Sequence, residues 1–205
     1  MSAFFATCPK GLEYLLKDEL IALGAGDVRE ALAGVSFTGT IETAYRACLW
    51  SRMASRVLLP LAEFDAADPE ALYAGVQAID WAEHLAAHGT LAVDANTAQS
   101  KLTHSQFIAL KTKDAIVDQF RAASGARPDV DPEEPDVRVN VRLRRDRATL
   151  SIDLSGLPLH RRGWREQQGE APLKENLASA MLVRGQWPRI YAEGGALVDP
   201  MCGSG

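Results

Sequence analysis

Two groups of residues in this sequence have the types and spacing that chemistry needs. The first is Asp199-Pro200-Met201-Cys202-Gly203-Ser204-Gly205, preceded by the apolar run Ala196-Leu197-Val198. A buried strand feeding a Gly-x-Gly turn lets the backbone come close to a ligand, because glycine carries no side chain to obstruct it. A helix opening after such a turn aims its free N–H groups at that ligand. The pattern predicts a strand over 196–198, entered from Gly194-Gly195. Asp199 would close the strand, and Gly203 and Gly205 would permit backbone contact. Gly-Ser-Gly alone reads as a flexible tail, but Val-Asp-Pro-Met-Cys is not linker composition. Cys202 reads as a small buried apolar residue rather than a thiol nucleophile. The motif looks like the opening of a small-ligand site whose remaining parts, and the catalysis, are expected downstream.

The second group is cationic. The chain is acidic overall, with a net charge of −5, yet residues 138–165 hold eight arginines against Asp146 and Asp153. Such a concentration points to an anionic partner at one place. Lys101, Lys111, Lys113, Arg142, Arg144 and Arg145 are candidates for contacts to a phosphate backbone. Arg161, Arg162 and Arg165 form a basic arm, and Trp164 between them suits stacking on an unpaired base. The competing reading is a solvated sheet face whose arginines pair with nearby acids. Lys111 can pair with Asp114 along a helix, and Trp164 can pack between domains. Lys111 and Lys113 point about 200° apart on an ideal helix, so they cannot share one RNA strand equally.

Composition bounds these readings. The 205 residues are 47% hydrophobic and 24% charged, ordinary for a globular protein with one large or two small cores. No apolar run reaches membrane-spanning length, and the start lacks the build of a secretion signal. Cys8, Cys48 and Cys202 are odd in number and far apart, which argues against a disulfide framework and suits a reducing, cytoplasmic compartment. His84, His88, His104 and His160 lack ligand spacing, so no metal is expected. Glu133 and Glu134 sit in a proline-rich stretch and read as solvent-facing.

The elements that must position these groups follow from periodicity. A strand over Phe4–Cys8 precedes a helix with Leu12, Leu15, Leu16, Leu20 and Leu23 on one face. Two short strands, Val28–Leu32 and Gly34–Thr38, lead to a helix over Ile41–Trp50 opened by Thr40, then a strand at Val57–Leu59. That β-α-β-β-α-β order is ferredoxin-like. Asp68-Pro69-Glu70 has helix-start chemistry. A short helix near Asp80–Leu85, a strand over Thr90–Ala95 and a long helix over Ser105–Ala123 follow. Residues 127–136 read as loop. Val137–Leu143 alternates as a strand, Arg144–Arg147 turns, and Leu150, Ile152 and Leu154 return. An irregular arm, 157–169, leads to a helix over Leu173–Arg184 and the terminal strand.

Taken together, Gly11–Leu16, Trp50–Arg56, Gly75–Trp81, Lys113–Asp118, Asp136–Val141, Asp153–Gly156, Leu159–Gly163 and the terminal Asp-Pro-Met-Cys-Gly-Ser-Gly resemble bacterial 23S rRNA guanine-N2 methyltransferases of the RlmL (RlmKL) type, over essentially the whole chain. The resemblance implies an α+β chain. A ferredoxin-like domain would occupy 1–62, and a THUMP RNA-binding domain 45–155 in the family sense, its core about 66–155. A linker helix and the first strand of a truncated, Rossmann-like class I methyltransferase domain would occupy 156–205. It implies S-adenosyl-L-methionine as cofactor, with Asp199, Pro200, Cys202, Gly203 and Gly205 in an incomplete site; Lys174, opening a helix ahead of the terminal strand, is close enough in sequence to line that site. It implies 23S rRNA or its precursor as partner, a cytoplasmic location, and no membrane or metal. The family's Asn-Pro-Pro-Tyr motif is absent, so no catalytic residue is expected here and this piece is expected to be inactive by itself. Alternatives are a stand-alone THUMP-type RNA-binding module, or part of a tRNA-modifying enzyme forming 4-thiouridine or methylating guanine N2.

Overall fold

The computed structural model describes residues 1–164 and 172–202. The chain forms two compact units, Met1–Val57 with Leu157–Gly205, and Leu58–Gly156. The first unit opens with strand β1 (Ser2–Thr7), helix α1 (Glu13–Ala22), strands β2 (Gly26–Ala31) and β3 (Gly34–Gly39), and helix α2 (Ile41–Trp50). β3 lies between β1 and β2, antiparallel to both. The alternation read from the sequence places Phe4 opposite Phe37, and their rings stack with centroids 5.3 Å apart. Leu16 and Leu20 of α1, and Ala44 and Ala47 of α2, are buried. Thr40 opens α2 as a capping box, its hydroxyl accepting the Thr43 N–H while the Thr43 hydroxyl accepts its own N–H. Gly34 is required by packing, since a Cβ there would meet the Ala6 carbonyl oxygen at 2.5 Å.

The second unit takes β4 (Arg56–Asp65), which starts at the unit boundary and is longer than the expected strand at Val57–Leu59. Pro60 cannot donate to a ladder, and the register with its neighbour shifts between Pro60 and Ala62. Helix α3 (Pro69–Gln77) follows, N-capped by Asp68, whose carboxylate accepts the Ala71 N–H at 2.8 Å. A 3-10 turn at Trp81–Glu83 stands where a short helix is predicted. Strand β5 (Thr90–Ala98) and helix α4 (Ser105–Ser124) come next. Residues 127–136 are not all loop, because β6 (Asp129–Val130) pairs parallel with β5. Strands β7 (Val137–Arg144) and β8 (Arg147–Asp153) complete the order β4-β8-β7-β5-β6. The core joins Leu72, Val76, Trp81, Ile108, Ile116, Phe120, Val139, Val141 and Leu150. The Trp81 indole N–H donates to the Val76 carbonyl at 2.9 Å, so its burial leaves no donor unpaired.

Residues from Leu157 onward return to the first unit. The Leu159 N–H donates to the Ser55 carbonyl at 2.9 Å. Helix α5 (Glu175–Arg184) starts two residues later than predicted, and helix α6 (Trp187–Ala192) forms where no element is expected. The predicted strand at 196–198 is not formed. A strand exists only where neighbouring backbone accepts its hydrogen bonds, and no described residue pairs with this segment. Leu197 and Val198 are exposed, Val198 at 81%.

Candidate nucleic-acid interface

The sheet of the second unit sorts its side chains by pleat. Val137, Val139, Val141 and Leu143 turn toward the core, so Arg138, Asn140, Arg142 and Arg144 project from the opposite face. Their charges meet different fates. Arg138 pairs with Asp94 at 3.3 Å and donates to the carbonyls of Pro132 and Glu133. Arg147, directly across the ladder from Arg144, is answered by Glu63 at 2.6 Å and Asp65 at 3.4 Å on β4. Arg142 and Arg144 have no ion pair or hydrogen-bonding side chain among the described residues. Like charges opposite each other destabilise a sheet, so Arg144 beside Arg147 adds nothing to the fold and leaves a cation free for an anion.

The hairpin turn extends this cationic end. Only Arg145 and Asp146 form it, at φ +52° and +59°. The two-residue turn thus needs left-handed backbone at both positions, which glycine or asparagine usually supplies. Contacts from the β5–α4 loop hold it there. The Arg145 N–H donates to the Ala98 carbonyl at 3.3 Å, and the Asp146 N–H donates to the Ser100 hydroxyl at 3.0 Å. In return the Asp146 carboxylate accepts the Lys101 N–H at 2.7 Å. Lys101 is therefore carried to Arg144 and Arg145 across more than forty residues of sequence. The Asp146 carboxylate accepts that backbone amide and forms no ion pair among the described residues.

The helix lysines are placed elsewhere. Lys113 pairs with Asp114 at 2.5 Å, and Lys111 lies over the Tyr73 ring, 4.8 Å from its centroid. The structure thus replaces the anticipated Lys111–Asp114 pair. The arm of the first unit is also divided. The Arg162 guanidinium donates from one nitrogen to the carbonyls of Cys48 and Ser51, at 2.9 and 3.0 Å, closing the C-terminal end of α2. The Arg161 side chain is free of partners among the described residues, and Trp164 is 80% exposed. Arg165 lies outside the described residues.

The terminal motif presents an Asx turn, in which the Asp199 carboxylate accepts the Met201 N–H at 3.0 Å. Pro200 and Met201 form the turn, and Cys202 is exposed rather than buried. Gly203 and Gly205 lie outside the described residues. Lys174 stands exposed before α5, and its charge acts on His160. Burial lowers the His160 pKa first; Lys174, Arg161 and Arg56 lower it further, while Glu175 opposes them. Cys8, by contrast, is pushed up to about 12 by burial and by Glu13, which makes it an inert thiol. The four histidines gather no metal set among the described residues; His104 instead caps α4, its Nδ1 accepting the Phe107 N–H.

The first unit is ferredoxin-like in its element order, and one end of the second unit's sheet carries cations that no acid among the described residues answers. Comparison with known proteins gives the class. Residues 3–58 match the RlmL ferredoxin-like domain, 66–153 the THUMP domain, and 162–205 the RMKL-like methyltransferase domain. The chain is 62% identical, over 98% of its length, to a protein of Syntrophotalea carbinolica named ribosomal RNA large subunit methyltransferase K/L. It is 58% identical, again over 98% of its length, to the protein of the same name from Methylococcus capsulatus. It covers only 28% and 27% of those two proteins, little more than a quarter. Among solved structures, SMU.472, crystallised as a complex with SAH, is 33% identical with a TM-score of 0.80, covering 91% of this chain and 49% of that one. Domain by domain, the chain is similar to RlmL-type, THUMP-containing methyltransferases.

Proposed function

We propose that this chain is the RNA-recognition part of an S-adenosyl-L-methionine-dependent methyltransferase acting on the exocyclic N2 of guanine in 23S rRNA, in the cytoplasm. The carrying observation is the cationic end of the second unit, where Arg142, Arg144, Arg145 and Lys101 have no acidic partner among the described residues, within a domain of THUMP type. The relatives' names supply the substrate, and the SAH complex of SMU.472 supports the cofactor. The match of residues 162–205 to a methyltransferase domain weighs against a stand-alone binding module. No described helix is long and apolar enough to cross a membrane.

Arginines set on strands offer planar forks to phosphate oxygens, and the hairpin turn fixes their spacing. Such contacts position an RNA without reading its sequence. A stacked guanine cannot present its amine in line with a methyl donor, so the target base must leave the stack. When bound, the cofactor supplies a methyl group activated on sulfur. The residues present suit its methionine end in kind: the Asp199 carboxylate can face an ammonium, and the Cys202 backbone N–H can face a carboxylate. No acid–base residue for the amine is assigned within this chain, so the 205 residues alone are expected to show no turnover with labelled S-adenosyl-L-methionine.

The test is RNA binding by this chain as a function of salt. Replacing Lys101, Arg142, Arg144 and Arg145 by alanine together should lower affinity at least tenfold. It should also flatten the plot of log K against log salt by roughly 0.7–0.9 for each phosphate that the variant no longer neutralises. An unchanged slope would sink the assignment.

A further inference from the structure

The first unit holds a cleft of about 680 Å³ to which no role has been given. Its walls come from α1, the end of α2, the arm and α5, and they are mainly apolar. Trp50 and Trp164 both line it, 65% and 80% exposed, which is unusual for two large aromatic side chains at one place. Two further wall residues carry polar atoms without hydrogen-bond partners among the described residues, Nδ1 of His160 and Oδ1 of Asn176. Asn176 is only 1% exposed, and its amide nitrogen is already engaged with the Ser55 hydroxyl at 3.0 Å. A buried acceptor left unpaired is costly, so its persistence beside a cleft calls for a ligand.

The charge around the cleft has a sign. The acid Glu19 is consumed internally, accepting from the Ser51 hydroxyl, from the Arg52 and Met53 amides and from Arg52 Nε. Glu175 is a second acid on the wall, and Arg162 is held by the carbonyls at the end of α2. Arg161, next in sequence to the wall residues His160 and Arg162, has no side-chain partner among the described residues, so it is the cation left for an anion. A ligand that fits must have a flat aromatic face, hydrogen-bonding edges and a negative tail. We propose that this cleft receives one unpaired nucleobase of a bound RNA strand, stacked on Trp50 or Trp164 with its edge toward Asn176 and His160 and its phosphates toward Arg161. The inference rests on the RNA-binding reading above and adds a second, base-reading contact to it. Burial keeps the His160 imidazole neutral, so it can offer one donor and one acceptor to a base edge.

The experiment compares a short single-stranded RNA with an abasic ribose-phosphate chain of equal length, by equilibrium binding to the 205-residue chain. The native protein should prefer the base-bearing strand by roughly ten- to a hundredfold, the range that aromatic stacking on a base gives. The double variant Trp50→Ala/Trp164→Ala should bind both strands equally. Both side chains are exposed, so folding is expected to survive, and circular dichroism checks it; His160→Gln serves as a second, milder variant that should reduce the preference. Arg142→Ala/Arg144→Ala should weaken both strands and keep their ratio. A preference that survives removal of both tryptophans overturns the cleft assignment while leaving the cationic turn intact. The same holds if the tryptophan variants change only self-association, which would mark a protein-packing face. If the native chain binds neither strand, the RNA reading fails with it.

Discussion

Arginine serves opposite purposes in the two units of this chain. On the sheet of the second unit, Arg142 and Arg144 stand on a paired ladder with no acidic partner among the described residues, while their neighbours Arg138 and Arg147 are each tied to carboxylates. In the first unit, Arg162 belongs to the arm whose composition suggested an RNA contact, yet it spends two N–H bonds holding the end of α2. The number of arginines therefore says where anion binding could occur. Only the partners of each guanidinium say which one is free to do it.

The comparison breaks first at the free set. The quadruple Lys101, Arg142, Arg144 and Arg145 alanine variant should give the largest change, at least a tenfold loss of RNA affinity. Its unfolding midpoint should stay near that of the native chain, because none of those side chains forms an ion pair among the described residues. Next comes Arg162→Ala. Removing two charge-assisted hydrogen bonds should lower unfolding free energy by about 2–3 kcal/mol, with little change in the salt slope. The reverse result in urea titration and filter binding, an intact fold with a flattened slope, would return Arg162 to the RNA surface. Asp146→Ala should cost about 1–2 kcal/mol, because it strips the acceptor from the Lys101 N–H at a left-handed turn. Asp146→Asn keeps an acceptor and tolerates that backbone, so it should remain close to native in the same titration.

The smallest effect expected is a pH effect. The folded-state pKa of His160 lies below its ordinary value of 6.5, chiefly through burial, with Lys174, Arg161 and Arg56 acting the same way against Glu175. Protonation therefore favours the unfolded chain. The native contribution is whole above pH 6.5 and is lost as pH falls through that value toward the folded pKa. Urea midpoints compared at pH 7.5 and pH 5.0 should show less acid sensitivity in His160→Gln than in the native chain. Equal sensitivity would show that His160 is solvated rather than held in the cleft wall.

Much of the fold was legible because local signals were strong. Thr40 and Asp68 mark helix starts that their hydroxyl and carboxylate do cap, and the alternation in Val137–Leu143 sets the core face of β7. Legibility failed where the deciding partner is remote. Ala196–Val198 has strand composition but no neighbouring strand among the described residues, and the adjacent Trp187–Ala192 turns into helix instead. Asp129–Val130 looks like part of a proline-rich loop, yet β5 recruits it as an edge strand. Trp50 carried no signal by itself, since an aromatic at the end of an amphipathic helix usually serves a core.

The sequence by itself determined the order of elements, the surplus of arginine over residues 138–165 and the family that the chain resembles, because caps, periodicity and charge are local properties of neighbouring residues. The tertiary structure alone decided which cations are left unneutralised, that Lys101 joins the hairpin turn, and that two tryptophans meet one cleft. Those outcomes depend on hydrogen-bond and ion-pair partners more than forty residues away, and a short-range interaction is decided only when folding brings its two ends within a few ångströms.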